Sequence, residues 1–149
     1  MEVMKPFKVS ILAAGLLLHG LLNAKESVDN GADDRSIPAY KLTRIAKIVV
    51  TAPSKSDGYD PKEDCGQLSM TPKRGIFFFR HSRIVSQASA FHDFSYSSCY
   101  SEGTVQFVNG DRGEWRISHG GTGTLLLKTG QSKGKFLHLY CKRCDDEDR

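Results

Sequence analysis

Hydrophobic and polar residues alternate most regularly in the last third of the chain. Segments 104–108, 114–118, 124–129 and 135–141 each place apolar side chains at every second position, and glycine-rich turns separate them. Such alternation is typical of strands with one buried face, and the short connections predict a four-strand antiparallel meander. Eight apolar residues would line its buried face: Val105, Phe107, Trp115, Ile117, Leu125, Leu127, Leu137 and Leu139.

The preceding segments predict further strands. Residues 42–51 suit a first strand, residues 65–70 a short one, and the continuous apolar run 75–80 a strand buried on both faces. Residues 82–91 allow either a strand or a short helix that Ser82 would cap. Because the apolar face of the meander needs a cover, we predict an all-β fold, a small antiparallel sandwich or barrel with at most a short helix near 82–91.

The first 24 residues have the layout of a secretory signal peptide. Lys5 and Lys8 precede an apolar run at 9–22, and a polar stretch begins at Lys25. The run is shorter than the roughly 20 residues of a spanning helix. We therefore expect a signal peptide at 1–24, a flexible leader at 25–39, a β domain at 40–144 and an acidic tail at 145–149. The mature protein would be periplasmic or secreted, with no membrane span.

Four cysteines, Cys65, Cys99, Cys141 and Cys144, follow the predicted signal peptide. In an exported protein an even number of cysteines predicts disulfides, here two, with three pairings open. The Cys141/Cys144 pair also forms a C-x-x-C motif, which occurs in thiol–disulfide redox couples and in zinc sites. A redox couple favours a helix N-terminus, whereas this motif follows a predicted strand, so structural disulfides are the favoured interpretation.

Charge and motifs narrow the function further. Without Lys5, Lys8 and Glu2 the 21 basic and 17 acidic residues become 19 and 16, a formal charge of +3. This scattered charge does not indicate nucleic-acid binding. The chain has no G-x-S-x-G, H-E-x-x-H or EF-hand motif. The adjacent His92 and Asp93 remain the alternative for an enzyme, and no cofactor or metal is predicted.

These features favour an exported binding protein that acts through a surface rather than by catalysis, in the manner of an inhibitor or immunity protein. The partner would be a protein or small ligand of the cell envelope. Turns at 109–113 and 119–123 would present that surface, and the second is favoured because glycine allows close approach. The predicted binding residues are His119, Gly120, Gly121 and Gly123. The alternative is a thiol–disulfide redox or metal-binding protein that uses the Cys141/Cys144 pair.

Overall fold

The computed structural model describes residues 36–67 and 69–144. The predicted signal peptide, the leader up to residue 35 and the acidic tail lie outside these ranges. Residues 36–39, the end of the predicted leader, belong to no helix or strand.

The described chain is mostly β, with one six-strand antiparallel sheet in the order β1-β3-β4-β5-β6-β2. The predicted four-strand meander is confirmed as β3 to β6. The register places Trp115 opposite Gly103 on one side and opposite Leu125 on the other. The strands are β1 Ile45–Ser56, β2 Arg83–Val85, β3 Cys99–Phe107, β4 Arg112–Ser118, β5 Thr122–Thr129 and β6 Phe136–Tyr140.

One face of the sheet forms the hydrophobic core. The eight apolar residues predicted for the buried face of the meander are all buried there, each no more than 5% exposed. Ile45, Ile48 and Val50 of β1 pack against this cluster from the edge of the sheet. The alternation of the sequence thus determines which side of each strand faces the core.

Helix α1, Pro72–His81, covers this core, so the prediction of a strand at 75–80 is wrong. The side chain of Thr71 accepts a hydrogen bond from the Arg74 N–H, and Pro72 occupies the first helical position, two signals that begin a helix. Phe78 and Phe79 are buried against the sheet, and the Phe79 ring meets the Trp115 ring edge-on at 6.5 Å. The sheet is therefore covered by a helix and is not closed into a barrel.

Three other segments differ from expectation. Residues 65–70 contain a short 3-10 turn, Cys65–Gln67, instead of a strand. Residues 82–91 contain both predicted alternatives in succession, β2 and then helix α2, Gln87–His92, whose N-cap is Ser86 and not Ser82. Strand β1 continues past Pro53 to Ser56, because an edge strand tolerates a proline that cannot donate to the ladder.

Two disulfides are present, Cys65–Cys99 and Cys141–Cys144, with Cα–Cα distances of 5.2 and 5.4 Å. The prediction of two disulfides is confirmed, and the fold selects one of the three pairings. The bonds indicate an oxidising, non-cytoplasmic compartment. Over the described ranges, no helix has the length and apolar character needed to cross a bilayer.

Candidate functional site

The end of the sheet that carries the β4–β5 turn also carries two long loops. Strands β1 and β3 pair there through Ser56 and Cys99. Loop 57–64 leaves β1 at this end, and loop 93–98 enters β3 beside it. Three exposed side chains, Tyr59, Tyr96 and His119, come from these loops and from the turn, and we refer to them together as the tyrosine surface.

Tyr59 and Tyr96 are the most prominent groups of this surface. Tyr59 is 80% exposed and Tyr96 65% exposed, and their rings meet edge-to-face with centroids 5.2 Å apart. The Asp57 carboxylate holds both residues, because it accepts a hydrogen bond from the Tyr96 hydroxyl and another, 2.9 Å long, from the Tyr59 N–H. These two bonds, the Tyr96 bond first, lower the pKa of Asp57. Asp57 thus bonds the backbone of Tyr59 and the side chain of Tyr96, and the two exposed rings contact each other.

Glu63 joins loop 57–64 to loop 93–98. Its carboxylate accepts hydrogen bonds from the Ser97 hydroxyl at 2.5 Å, the Ser98 hydroxyl at 2.7 Å and the Ser98 N–H at 2.9 Å. These bonds favour the ionised form and lower the pKa of Glu63. The carboxylate also lies 3.9 Å from Nδ1 of His119, so it connects the loops to the β4–β5 turn.

Covalent and backbone contacts restrain the same loops. The Cys65–Cys99 disulfide ties the end of loop 57–64 to the start of β3. The Asp57 N–H donates to the Ser98 carbonyl at 3.0 Å, and Ser98 is almost completely buried. A surface restrained in this way loses little conformational entropy when a partner binds.

The structure separates the four predicted binding residues. His119 is exposed and belongs to the tyrosine surface, and Gly120 is half-buried beside it. Gly120 and Gly121 have φ values of +90° and +75°, a left-handed conformation that favours glycine in the three-residue turn between Ser118 and Thr122. Gly121 and Gly123 are buried, and the position of a Cβ on Gly123 lies only 2.9 Å from the Phe78 ring. These two glycines therefore serve the turn and the core packing beneath Phe78.

Sequence reasoning missed Tyr59, Tyr96, Asp57 and Glu63. Loop 57–64 is polar and rich in turn-forming residues, which hid the significance of its single aromatic residue. In loop 93–98 the signal that could have been noticed is a tyrosine among serines. Loop 57–64 contains four acidic residues and one lysine, so the tyrosine surface combines exposed rings with negative charge.

The other candidate residues lie elsewhere. His92 ends helix α2 and Asp93 is its C-cap, and both are exposed. Cys141 and Cys144 are joined to each other where β6 ends, and Cys141 is fully buried. Within residues 36–67 and 69–144, no group of three or more His, Cys, Asp or Glu side chains is placed to hold a metal ion. Trp115 is 2% exposed, which confirms its predicted place in the core.

Comparisons of this chain with protein-family models, with curated proteins and with solved structures found no match.

Proposed function

We propose that this chain is an exported, non-catalytic binding protein that recognises a partner protein through the tyrosine surface. The observation that carries the proposal is the edge-to-face pair of exposed rings, Tyr59 and Tyr96, with the Tyr96 hydroxyl bonded to Asp57. Tyrosine supplies a large contact area with few rotatable bonds, and for this reason it is frequent at binding hot spots.

The chemistry of the surface suits a partner with a polar, basic site. The rings would contact apolar atoms or cationic groups of the partner, and the acidic residues of loop 57–64 would complement its positive charge. A rigid, acidic and aromatic loop cluster fits an inhibitor or immunity protein that enters the cleft of a basic enzyme. We place the protein in the periplasm or outside the cell, because the disulfides and the predicted signal peptide support export.

The test is cross-linked capture of the partner from envelope extract and culture medium of the native host. Titration of the purified partner against variants would follow. Tyr59→Ser and Tyr96→Ser should each weaken binding by at least about 30-fold, the loss typical of a hot-spot residue. The melting temperature should change little because both rings are exposed. Tyr96→Phe should weaken binding less, since it retains the ring and removes only the bond to Asp57.

Phe91→Ser is the matched control, because Phe91 is an aromatic residue of helix α2 that is 67% exposed and lies outside the tyrosine surface. The affinity of this control variant for the partner should equal that of the unmodified protein. Unchanged affinity of both tyrosine variants would contradict the proposal, as would an equal loss in the control. The redox alternative would instead be supported if the protein catalysed disulfide exchange and if Cys141→Ala and Cys144→Ala abolished this activity without loss of folding.

A further inference from the structure

The described part of the chain is far more basic than the whole chain. Residues 36–67 and 69–144 contain sixteen Lys and Arg residues and eight Asp and Glu residues, a formal charge of +8. The small charge of the exported chain arises because residues 25–35 and 145–149 contain eight acidic and three basic residues. Net charge therefore conceals a basic domain between two acidic segments.

Helix α1 concentrates this positive charge. Its ten residues include Lys73, Arg74, Arg80 and His81 and contain no acidic residue. The turn after β6 packs against the helix and adds an exposed arginine, Arg143. Its guanidinium lies 5.8 Å from the centre of the Phe77 ring.

Two grooves border the exposed side of α1. A groove of about 680 Å³ runs beside Lys73, Phe77 and Arg80. A second, of about 510 Å³, separates Arg80 from Arg44 of the segment before β1. Ile76 borders both grooves and is 36% exposed. We call the two grooves together the α1 groove.

No acidic residue of the described ranges is among the lining residues of the α1 groove. Likewise, neither Arg44, Lys73 nor Arg80 has a described carboxylate within ion-pair distance. The eight acidic residues of these ranges are Asp57, Asp60, Glu63, Asp64, Asp93, Glu102, Asp111 and Glu114.

We propose that the α1 groove binds an acidic, partly apolar segment of a partner protein. Carboxylates of the segment would pair with Arg44, Lys73 and Arg80, and its apolar side chains would contact Ile76 and Phe77. Arginine suits this role because its planar guanidinium binds a carboxylate through two hydrogen bonds. A polypeptide can place side chains in a groove, whereas a flat bilayer surface cannot enter it. The site is distinct from the tyrosine surface and of opposite charge.

The test measures binding of a short fluorescent peptide of alternating glutamate and leucine by anisotropy. Arg44→Gln combined with Arg80→Gln should weaken binding about tenfold at low salt, since two surface ion pairs are lost. Added salt should weaken binding to the unmodified protein because it screens exposed charges. Ile76→Gln should also weaken binding, and a peptide with glutamine in place of glutamate should not bind.

Arg112→Gln combined with Lys133→Gln is the matched control. It removes the same charge outside both grooves and should leave the affinity unchanged. An equal loss in this control would overturn the proposal, because net charge alone would then explain binding. A different result would assign the groove to a membrane surface. In that case the protein would bind phosphatidylglycerol vesicles but not the peptide, and Arg44→Gln combined with Arg80→Gln would abolish vesicle binding.

The two acidic segments of the chain itself are the remaining occupants, and chains that lack residues 145–149 or residues 25–35 test them. Peptide binding only after one of these deletions would show that the deleted segment fills the groove, and this result would overturn the partner proposal. Absence of peptide binding by the unmodified protein and by both deletion forms would also overturn it. Tyr59→Ser should leave peptide affinity unchanged, so failure of this proposal and failure of the proposed function can be told apart.

Discussion

Replacement of Trp115 by alanine tests the assignment of the core most directly. The indole is 2% exposed, lies edge-on to Phe79 and covers Gly103 on the neighbouring strand. A buried tryptophan contributes roughly 150–250 Å² of apolar contact, which at about 25 cal/mol per Å² corresponds to roughly 4–6 kcal/mol. Measured truncations of large aromatic residues cost about 3–5 kcal/mol. We therefore expect Trp115→Ala to lower the free energy of unfolding by about 3–5 kcal/mol.

A phenylalanine at the same position separates burial from hydrogen bonding. The indole Nε1 is buried and has no hydrogen-bond partner among the described residues. An unpaired buried N–H costs about 1–3 kcal/mol, and Trp115→Phe removes that cost together with part of the contact area. Its expected cost is therefore smaller than the about 3–5 kcal/mol of Trp115→Ala.

Urea unfolding followed by far-UV circular dichroism measures both variants, since the protein has one tryptophan and both substitutions remove its fluorescence. In the unmodified protein, Trp115 emission should be blue-shifted and resistant to acrylamide. The reasoning would be refuted if the free energy of unfolding of Trp115→Ala lay within about 0.5 kcal/mol of that of the unmodified protein, the range usual for surface substitutions. Readily quenched, red-shifted emission would refute it independently.

Three further predictions concern the disulfide and two titrating groups. Replacing both Cys65 and Cys99 by alanine should cost roughly 4 kcal/mol in urea unfolding, the loop-closure value for their separation of 34 residues; an unchanged midpoint would contradict this. The pKa of Glu63 is lowered on folding, so its contribution to stability is present above the ordinary value of 4.5 and is lost as pH falls through the folded pKa. Glu63→Gln should therefore flatten the acid side of a plot of unfolding free energy against pH, and an unchanged acid side would contradict this prediction. Burial, followed by the hydrogen bond to Asp111, raises the pKa of Tyr40 to about 12. The contribution of Tyr40 to stability is therefore complete below pH 10 and is lost as pH rises toward 12. Tyr40→Phe should remove the phenolate transition that occurs at the highest pH in an absorbance titration, and retention of that transition would refute the assignment.

The meander could be predicted because its signals are local. Each strand needs only alternating apolar residues and each turn only its glycines, and both signals can be read within about ten residues of chain. For the same reason, the buried position of Trp115 and the exposed position of His119 followed from their places in the alternation and the turn.

The α1 segment shows where local patterns become ambiguous. Four consecutive apolar residues, 76–79, have neither the strand period nor the helix period, so either element can bury them. The cap at Thr71 and the proline at position 72 favour a helix. The tertiary structure decides the matter, because the open face of the meander is covered when Phe78 and Phe79 pack against it from a helix.

The sequence by itself determined the mostly β class, the order of the meander strands and their buried faces, and it predicted that the cysteines would be oxidised. Only the tertiary structure decided which cysteines pair, which helix covers the core, and that Tyr59 and Tyr96 meet above Asp57. The physical reason is that alternation and turn chemistry act between neighbours along the chain. Disulfide pairing and the tyrosine surface depend instead on residues that antiparallel pairing of β1 with β3 brings together from distant parts of the sequence.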